Sequence, residues 1–396
     1  MFKKILSLAL VVMMLVGCVS VFTSCGEDDV FKVGFICLHD ETSTYDKNFL
    51  DAAKATQQAL GLEDSQVIIV KDIDESEECY NAAADLVDQG CDVIFANSFG
   101  HEDFMIQAAK KFPKVQFCHA TGVKAHTEKL DNYHNAFASI YEGRYLAGVA
   151  AGMKLNELKA EGKLKGSVPK IGYVGAHPYA EVKSGYTSFY LGAKSVCPDV
   201  VMDVKFTGAW YDLDAEKNVA LALINGGCDL ISQHADSMGA PSACEENGIP
   251  NVSYNGSTLA TCPNTFIVSS RINWQPYFEY MINCAQNGKK IDTDWTGTIK
   301  DGSVVLTDIN TAVAAEGTAE KIEEVKAKLV DGTLNVFDTN NFTVNGEKLT
   351  EYLADVDDMG DFKGETNVIE NGVFYESKFR SAPYFDINID GITLLN

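Results

Sequence analysis

Residues 89–100 read QGCDVIFANSFG, and residues 226–237 say nearly the same thing again as GGCDLISQHADS. A phrase that returns once at long range points to a fold made of two similar halves. The echo is wider than the phrase. KVGFI at 32–36 returns as KIGYV at 170–174, and Leu86, Val87 and Gly90 match Leu223, Ile224 and Gly227. Each half runs through an apolar stretch, a turn-rich loop, a segment of helical spacing and a second apolar stretch. FLDAAKATQQAL and FYLGAKSV supply the first helices, while CYNAAADLVDQG and KNVALALINGG end in glycines suited to stopping a helix. Short β-rich runs alternating with such helices predict parallel sheets covered on both faces. Two α/β lobes are expected.

A chain of 396 residues exceeds one ordinary core, and 46% apolar residues supply enough material for two. The formal charge of −24 repels phosphate backbones, which argues against a nucleic-acid partner. The N-terminal MFKKILSLALVVMMLVGC sets two lysines before an apolar run, the layout of an export signal. Residues 1–25 are read as a signal and lipid-attachment segment, with lipidation at Cys25 or Cys18, because both cysteines resemble the bacterial lipoprotein box. LVGC is the better sequence match, whereas CGEDD gives Cys25 a polar tether. The competing reading is a spanning helix from Ile5 to Phe22, which has the length for it. The acidic residues that follow favour the lipid anchor, and no later run could span a membrane. Cys37, Cys91, Cys118 and Cys228 lie in or beside apolar β-like runs and no CxxC pair occurs, so they are expected as buried thiols.

Ligands of open parallel sheets bind beyond the carboxyl ends of the strands. The residues after the doubled strands should therefore face a shared cleft: Asn97, Ser98 and Phe99 from one lobe, Gln233, His234 and Asp236 from the other.

DVIFANSFGHEDFMIQAAKKFPKVQFCHATG, SIYEGRYLAGVAAG, IGYVGAHPYAEVKSGYTSFYLGAKSV and GAWYDLDAEKNVALALINGGCDLISQHADS resemble the basic membrane protein family of lipoprotein receptors. The likeness runs from about Phe31 to Asp308. It implies the substrate-binding component of an ABC importer for purine nucleosides or bases, served by a membrane permease and a separate ATPase. It also implies a type I periplasmic-binding fold, two doubly wound lobes joined by a hinge of three crossings near Ser139, Ser269 and Thr298. Residues 30–139 with 270–297 would form the first lobe, and 140–269 with 298–317 the second. Residues 318–396 are expected as a small C-terminal extension of a helix and β-hairpins, packed on the second lobe, with Asn-Gly turns in FTVNGEKL and VIENGVFYES.

A purine needs aromatic plates for its faces and fixed polar groups for its edge. Tyr45, Phe99, Trp210 and Trp274 are the candidate plates, with Tyr45 and Trp210 preferred because each lobe then contributes one. Ser98, Gln233, Asp236 and Asn255 are the candidate edge contacts. Rim or hinge packing for the rings, turn or loop capping for the polar residues and, for Asp236, helix capping are the structural alternatives. Many nucleoside-binding members carry an acidic-glycine-acidic loop after the first strand. Here CLHDETSTYDKNF stands in its place, closer to the branch holding free bases between two rings, and base versus nucleoside stays open.

An exported hydrolase acting on nucleosides and a signalling lipoprotein of the same fold are the alternatives. No GxSxG, HExxH or phosphate-loop motif appears. His39, His101, His119, His177 and His234 fall near strand ends without ligand spacing, so no metal, cofactor or catalytic residue is expected. The protein is expected as a monomer at the cell surface or in the periplasm.

Overall fold

The computed structural model describes residues 30–357 and 363–396. The export segment and both lipidation candidates, Cys18 and Cys25, lie outside the described residues. The first half runs β1 (Val33–Ile36), α1 (Thr44–Leu60), β2 (Val67–Val70), α2 (Glu77–Asp88), β3 (Val93–Ala96), α3 (Glu102–Lys111), β4 (Gln116–Ala120) and β5 (Tyr133–Ala138). The long α4 (Ile140–Ala160) leads to β6 (Lys170–Gly175), α5 (Ala180–Val196), β7 (Val201–Phe206) and α6 (Leu213–Asn225). Next come β8 (Leu230–His234), α7 (Gly239–Asn247), β9 (Asn251–Tyr254) and β10 (Phe266–Ile272). The chain ends through α8 (Gln275–Gln286), β11 (Asp294–Gly297), β12 (Val304–Leu306), α9 (Thr318–Val330) and β13 (Ile392–Leu394), with two small hairpins between the last two.

These strands form two sheets, in the orders β11-β5-β4-β3-β1-β2 and β12-β10-β9-β8-β6-β7-β13. All pairings are parallel except β10 with β12. In both sheets the order reverses between the first strand of the lobe and its third, β1 beside β3 and β6 beside β8. Such a reversal opens a crevice at the carboxyl ends of the strands.

The doubled phrase is a doubled set of contacts. Cys91 N–H donates to the Leu86 carbonyl at 3.0 Å, and Cys228 N–H to that of Leu223 at 3.1 Å. The Asp92 carboxylate accepts from Lys32 N–H at 2.9 Å, and that of Asp229 from Lys170 N–H at 3.0 Å. Gly90 and Gly227 take φ of +85° and +89°, the left-handed conformation that ends a helix sharply. On the neighbouring strands, a Cβ at Gly34 would sit 2.9 Å from Leu86 and one at Gly172 3.0 Å from Leu223. Each glycine thus makes room for the helix packed over it.

The GRYLAGVAAG motif has a similar cause. Cβ atoms at Gly148 and Gly192 would lie 2.0 Å from the carbonyl oxygens of Phe189 and Tyr145, so α4 and α5 cross backbone to backbone. The nine cysteines of the described residues are all buried and unbridged.

The chain passes between sheets at Ser139, after Ile272 and at Thr298. The second passage departs from the expected boundary at 269/270, because Ser270, Arg271 and Ile272 remain in the second sheet, paired with Leu306, Val305 and Val304. The extension departs too. It contributes β13 as a parallel edge strand beside β7, and it touches both lobes rather than the second alone. Ser381 donates its N–H and hydroxyl to Asp294 of the first sheet, both at 2.9 Å. Asn388 accepts from the Tyr186 hydroxyl on α5 at 3.1 Å. Both Asn-Gly turns are present, with Asn345, Gly346, Asn371 and Gly372 all at positive φ.

Candidate functional site

Between the two reversal points lies a narrow cavity: about 410 Å³ of empty space when the open solvent at its mouth is included, of which about 20 Å³ admits the centre of a water-sized sphere. Leu38, Tyr45, Asp46, Ser98, Phe99 and Thr121 form its first-lobe wall. Glu181, Trp210, His234, Asp236 and Tyr254 form the wall opposite.

The start of α1 sets two of these. The Ser43 hydroxyl caps the helix by accepting from Asp46 N–H at 3.1 Å, which puts Tyr45 and Asp46 in the first turn. Tyr45 donates its hydroxyl to the Asn97 carbonyl at 2.6 Å, and its ring rests edge-on against Phe49 at 4.8 Å. Asp46 uses Oδ1 to accept from His39 N–H and from the Asn97 amide, at 3.1 and 2.7 Å. Its Oδ2 is buried with no hydrogen-bond partner. The Ser98 hydroxyl donates to Glu75 at 2.6 Å and that of Thr121 to the Ala120 carbonyl at 2.5 Å.

Across the cleft, Asp236 follows β8 and accepts from the Asn255 amide at 3.1 Å. Its N–H donates to the Trp210 carbonyl at 3.0 Å, tying the Trp210 loop to the end of β8. Burial, together with the charges of Glu216, Asp46 and Glu181, pushes the Asp236 carboxyl well above the usual range, favouring its protonated form. Burial also lowers the pKa of His234, which stands 3.4 Å from Glu181. Behind Tyr254, the buried Arg144 guanidinium lies 4.4 Å from the ring centroid and donates to the Tyr173 hydroxyl and, at 3.0 Å, to the Gln233 carbonyl.

The lobes touch directly here. Thr44 donates N–H and hydroxyl to the Asp236 carbonyl at 3.0 and 3.1 Å, and Asn48 donates to Asn255 at 3.3 Å. Phe99 meets Tyr179 at 5.7 Å, Tyr179 stacks on His177 at 5.0 Å, and His177 stands edge-on to Trp210 at 5.1 Å. This row of rings edges the mouth. Outside it lies a larger open space of about 1700 Å³, walled partly by Tyr352, Arg380 and Tyr384 of the extension.

Of the residues expected from sequence, Tyr45, Ser98, Phe99, Trp210 and Asp236 line the one cavity. Three do not. Trp274, 1% exposed, stacks on Phe49 at 4.6 Å inside the first lobe's aromatic core, where it heads α8. Gln233 still belongs to β8, and its side chain turns inward to accept from Asn251 at 3.1 Å. Asn255, at φ +65°, stands behind Asp236 as a support. Asp236 is not a helix cap, since α7 begins at Gly239 after Met238. Among lining residues the candidate list left out Leu38, Asp46, Thr121, Glu181 and Tyr254. His234, expected from the repeat to face the cleft, is in the wall.

Two parallel-sheet lobes, three passages between them and a cavity at facing reversal points define a two-lobed, type I solute-binding protein. The fold matches that of an ABC transporter solute-binding protein from Aeropyrum pernix K1, with TM-score 0.65 at 16% identity, covering 80% of this chain and 94% of that one. The chain belongs to the ABC transporter substrate-binding protein PnrA-like (Bmp) family, whose model matches residues 35–336. It is 31% identical over 350 residues to a purine-binding protein of Brucella abortus, covering 84% of this chain and 94% of that one. It is also 24% identical over 299 residues to the nucleoside-binding protein BmpA of Lactococcus lactis subsp. cremoris, covering 76% of this chain and 74% of that one.

Proposed function

We propose that this substrate-binding protein captures a purine base or purine nucleoside between its lobes and hands it to an ABC permease powered by a separate ATPase. The observation that carries the reading is the pair of aromatic residues, Tyr45 and Trp210, lining one cavity from opposite lobes. A base lying between them would make contacts with both lobes at once, and those contacts exist together only when the lobes are shut. Binding then shifts the population toward the shut form by the differential affinity for the two states. The polar groups between the plates read the edge of the ring. The names of the two relatives support a purine or nucleoside as cargo. Lipidation at Cys25 or Cys18 would keep the protein, as a monomer, beside its permease outside the cytoplasm.

Native mass spectrometry of the protein purified without added ligand tests this. A bound mass matching a purine base or nucleoside is expected. A bound sugar or amino acid, or a cavity that no purine fills when added, contradicts it.

A further inference from the structure

The inner cavity is rich in acceptors, and this sets which purine it takes. Three hydroxyls in its wall have already committed their protons. Tyr45 donates to the Asn97 carbonyl at 2.6 Å, Ser98 to Glu75 at 2.6 Å and Thr121 to the Ala120 carbonyl at 2.5 Å. Only their lone pairs remain for a ligand. Asp46, 1% exposed, has both neighbouring donors on Oδ1 and leaves Oδ2 in the cavity wall without a partner. Glu181 adds a further carboxylate from the facing lobe, and none of the lining residues is Lys or Arg. The nearby cation, Arg144, is fully buried outside the lining, behind the Tyr254 ring, where Nη2 donates to Tyr173 and Gln233 while Nε and Nη1 have no partner. The side-chain donors left in the wall are the Trp210 indole, the Tyr254 hydroxyl, a proton on Asp236 and the ring N–H of His234, whose Nε2 stands 3.4 Å from Glu181 and whose Nδ1 has no partner.

A buried acceptor left without a donor carries a large desolvation cost, and two facing acceptors repel. A ligand that brings several N–H groups on different edges satisfies the wall. One that brings carbonyl oxygens sets lone pair against lone pair. We infer that the site is selective for amino-substituted purines over oxo-substituted ones, with the unpartnered Asp46 Oδ2 receiving an N–H of the ligand. Adenine brings an exocyclic amine and a ring N–H, together with ring nitrogens that accept from the few donors present. 2,6-Diaminopurine brings one amine more. Hypoxanthine replaces the amine by an oxygen and carries a proton on the neighbouring ring nitrogen, so that edge turns from two N–H hydrogens to one N–H beside one acceptor, and xanthine carries two such oxygens. This inference rests on the purine reading and names the members of that class the site prefers.

Isothermal titration of the full extracytoplasmic chain with adenine, 2,6-diaminopurine, hypoxanthine and xanthine tests it. The two aminopurines are expected to bind at least about tenfold more tightly than hypoxanthine, with xanthine weakest. Equal or tighter binding of hypoxanthine or xanthine overturns this inference and leaves the purine reading standing. Binding of none of the four overturns the purine reading and this inference with it. Asp46→Asn presents an N–H₂ where the free oxygen was, so it should narrow the adenine-to-hypoxanthine ratio by about tenfold or more. An unchanged ratio in a variant with wild-type melting behaviour removes Asp46 from the recognition. The wild-type ligand series decides the selectivity itself, whatever the variant's folding.

Discussion

Trp210 is held from below and from the side. Its carbonyl receives Asp236 N–H at 3.0 Å and its ring meets His177 at 5.1 Å, so the plate is fixed before a ligand arrives. Stacking of a base on an aromatic ring is worth about 1–3 kcal/mol. Trp210→Ala should therefore weaken adenine binding by roughly 10–100-fold in calorimetry, while Trp274→Phe, in the core of the first lobe, should leave affinity within about threefold and lower stability instead. Equal losses of affinity in both variants would undo the assignment of the two tryptophans. At this scale the sequence was legible where a residue follows a strand and has no packing duty, as with Ser98, Phe99 and Asp236. It was opaque for Glu181, since an acidic residue in the first turn of a helix is ordinary, and for Tyr254, the last residue of the short buried strand NVSY, which gives no sign of facing a cleft. Trp274 misled because its place in a loop sequence says nothing of the pocket formed by Phe49 and Phe278.

Among the elements, the repeated strand–helix unit carries the argument. Gly34 and Gly172 are small because Leu86 and Leu223 press on them from α2 and α6. Gly172→Ala should destabilise the protein by about 1–3 kcal/mol in urea unfolding, the range for overfilling a packed core. Gly192→Ala should cost more, because its Cβ would meet the Tyr145 carbonyl at 2.0 Å and a backbone atom gives way less readily than a side chain. A Gly192 variant as stable as wild type would show that α4 and α5 can separate without penalty. The repeat was visible in the chain because the same leucine, glycine, cysteine and aspartate make the same contacts twice. The edge strand β13 was not, since three residues, Ile392–Leu394, hold no periodicity and are placed by the open side of β7.

For the whole molecule, the extension joins the lobes as well as covering one of them, and its Glu376 reports on that docking. Glu376 is buried against α5, where its carboxyl oxygen accepts from the Ser184 hydroxyl at 2.5 Å. Burial, with the charges of Glu181 and Glu142, raises its pKa to about 7, against an ordinary value of 4.5. The folded state then holds a proton that the unfolded chain releases, so the contribution is present below the ordinary value and is lost as pH rises through about 7. The loss amounts to at most about 3 kcal/mol. Between about pH 4.5 and 7 the melting temperature of the wild type should fall relative to that of Glu376→Gln, which lacks this titration. A fall of the same size in the variant would remove Glu376 as its source. The overall two-lobed plan was readable from the doubled phrase and from family resemblance. The reach of the extension to Asp294 was not, because its contacts are single side chains meeting across long sequence separation.

The most direct measurement is a crystal structure of the protein grown with adenine. Density for the base between the Tyr45 and Trp210 rings, with the Asp46 carboxylate at hydrogen-bond distance from an N–H of the base, is the predicted result. Density for the base elsewhere, or a cavity left empty while adenine binds in solution, would contradict the account.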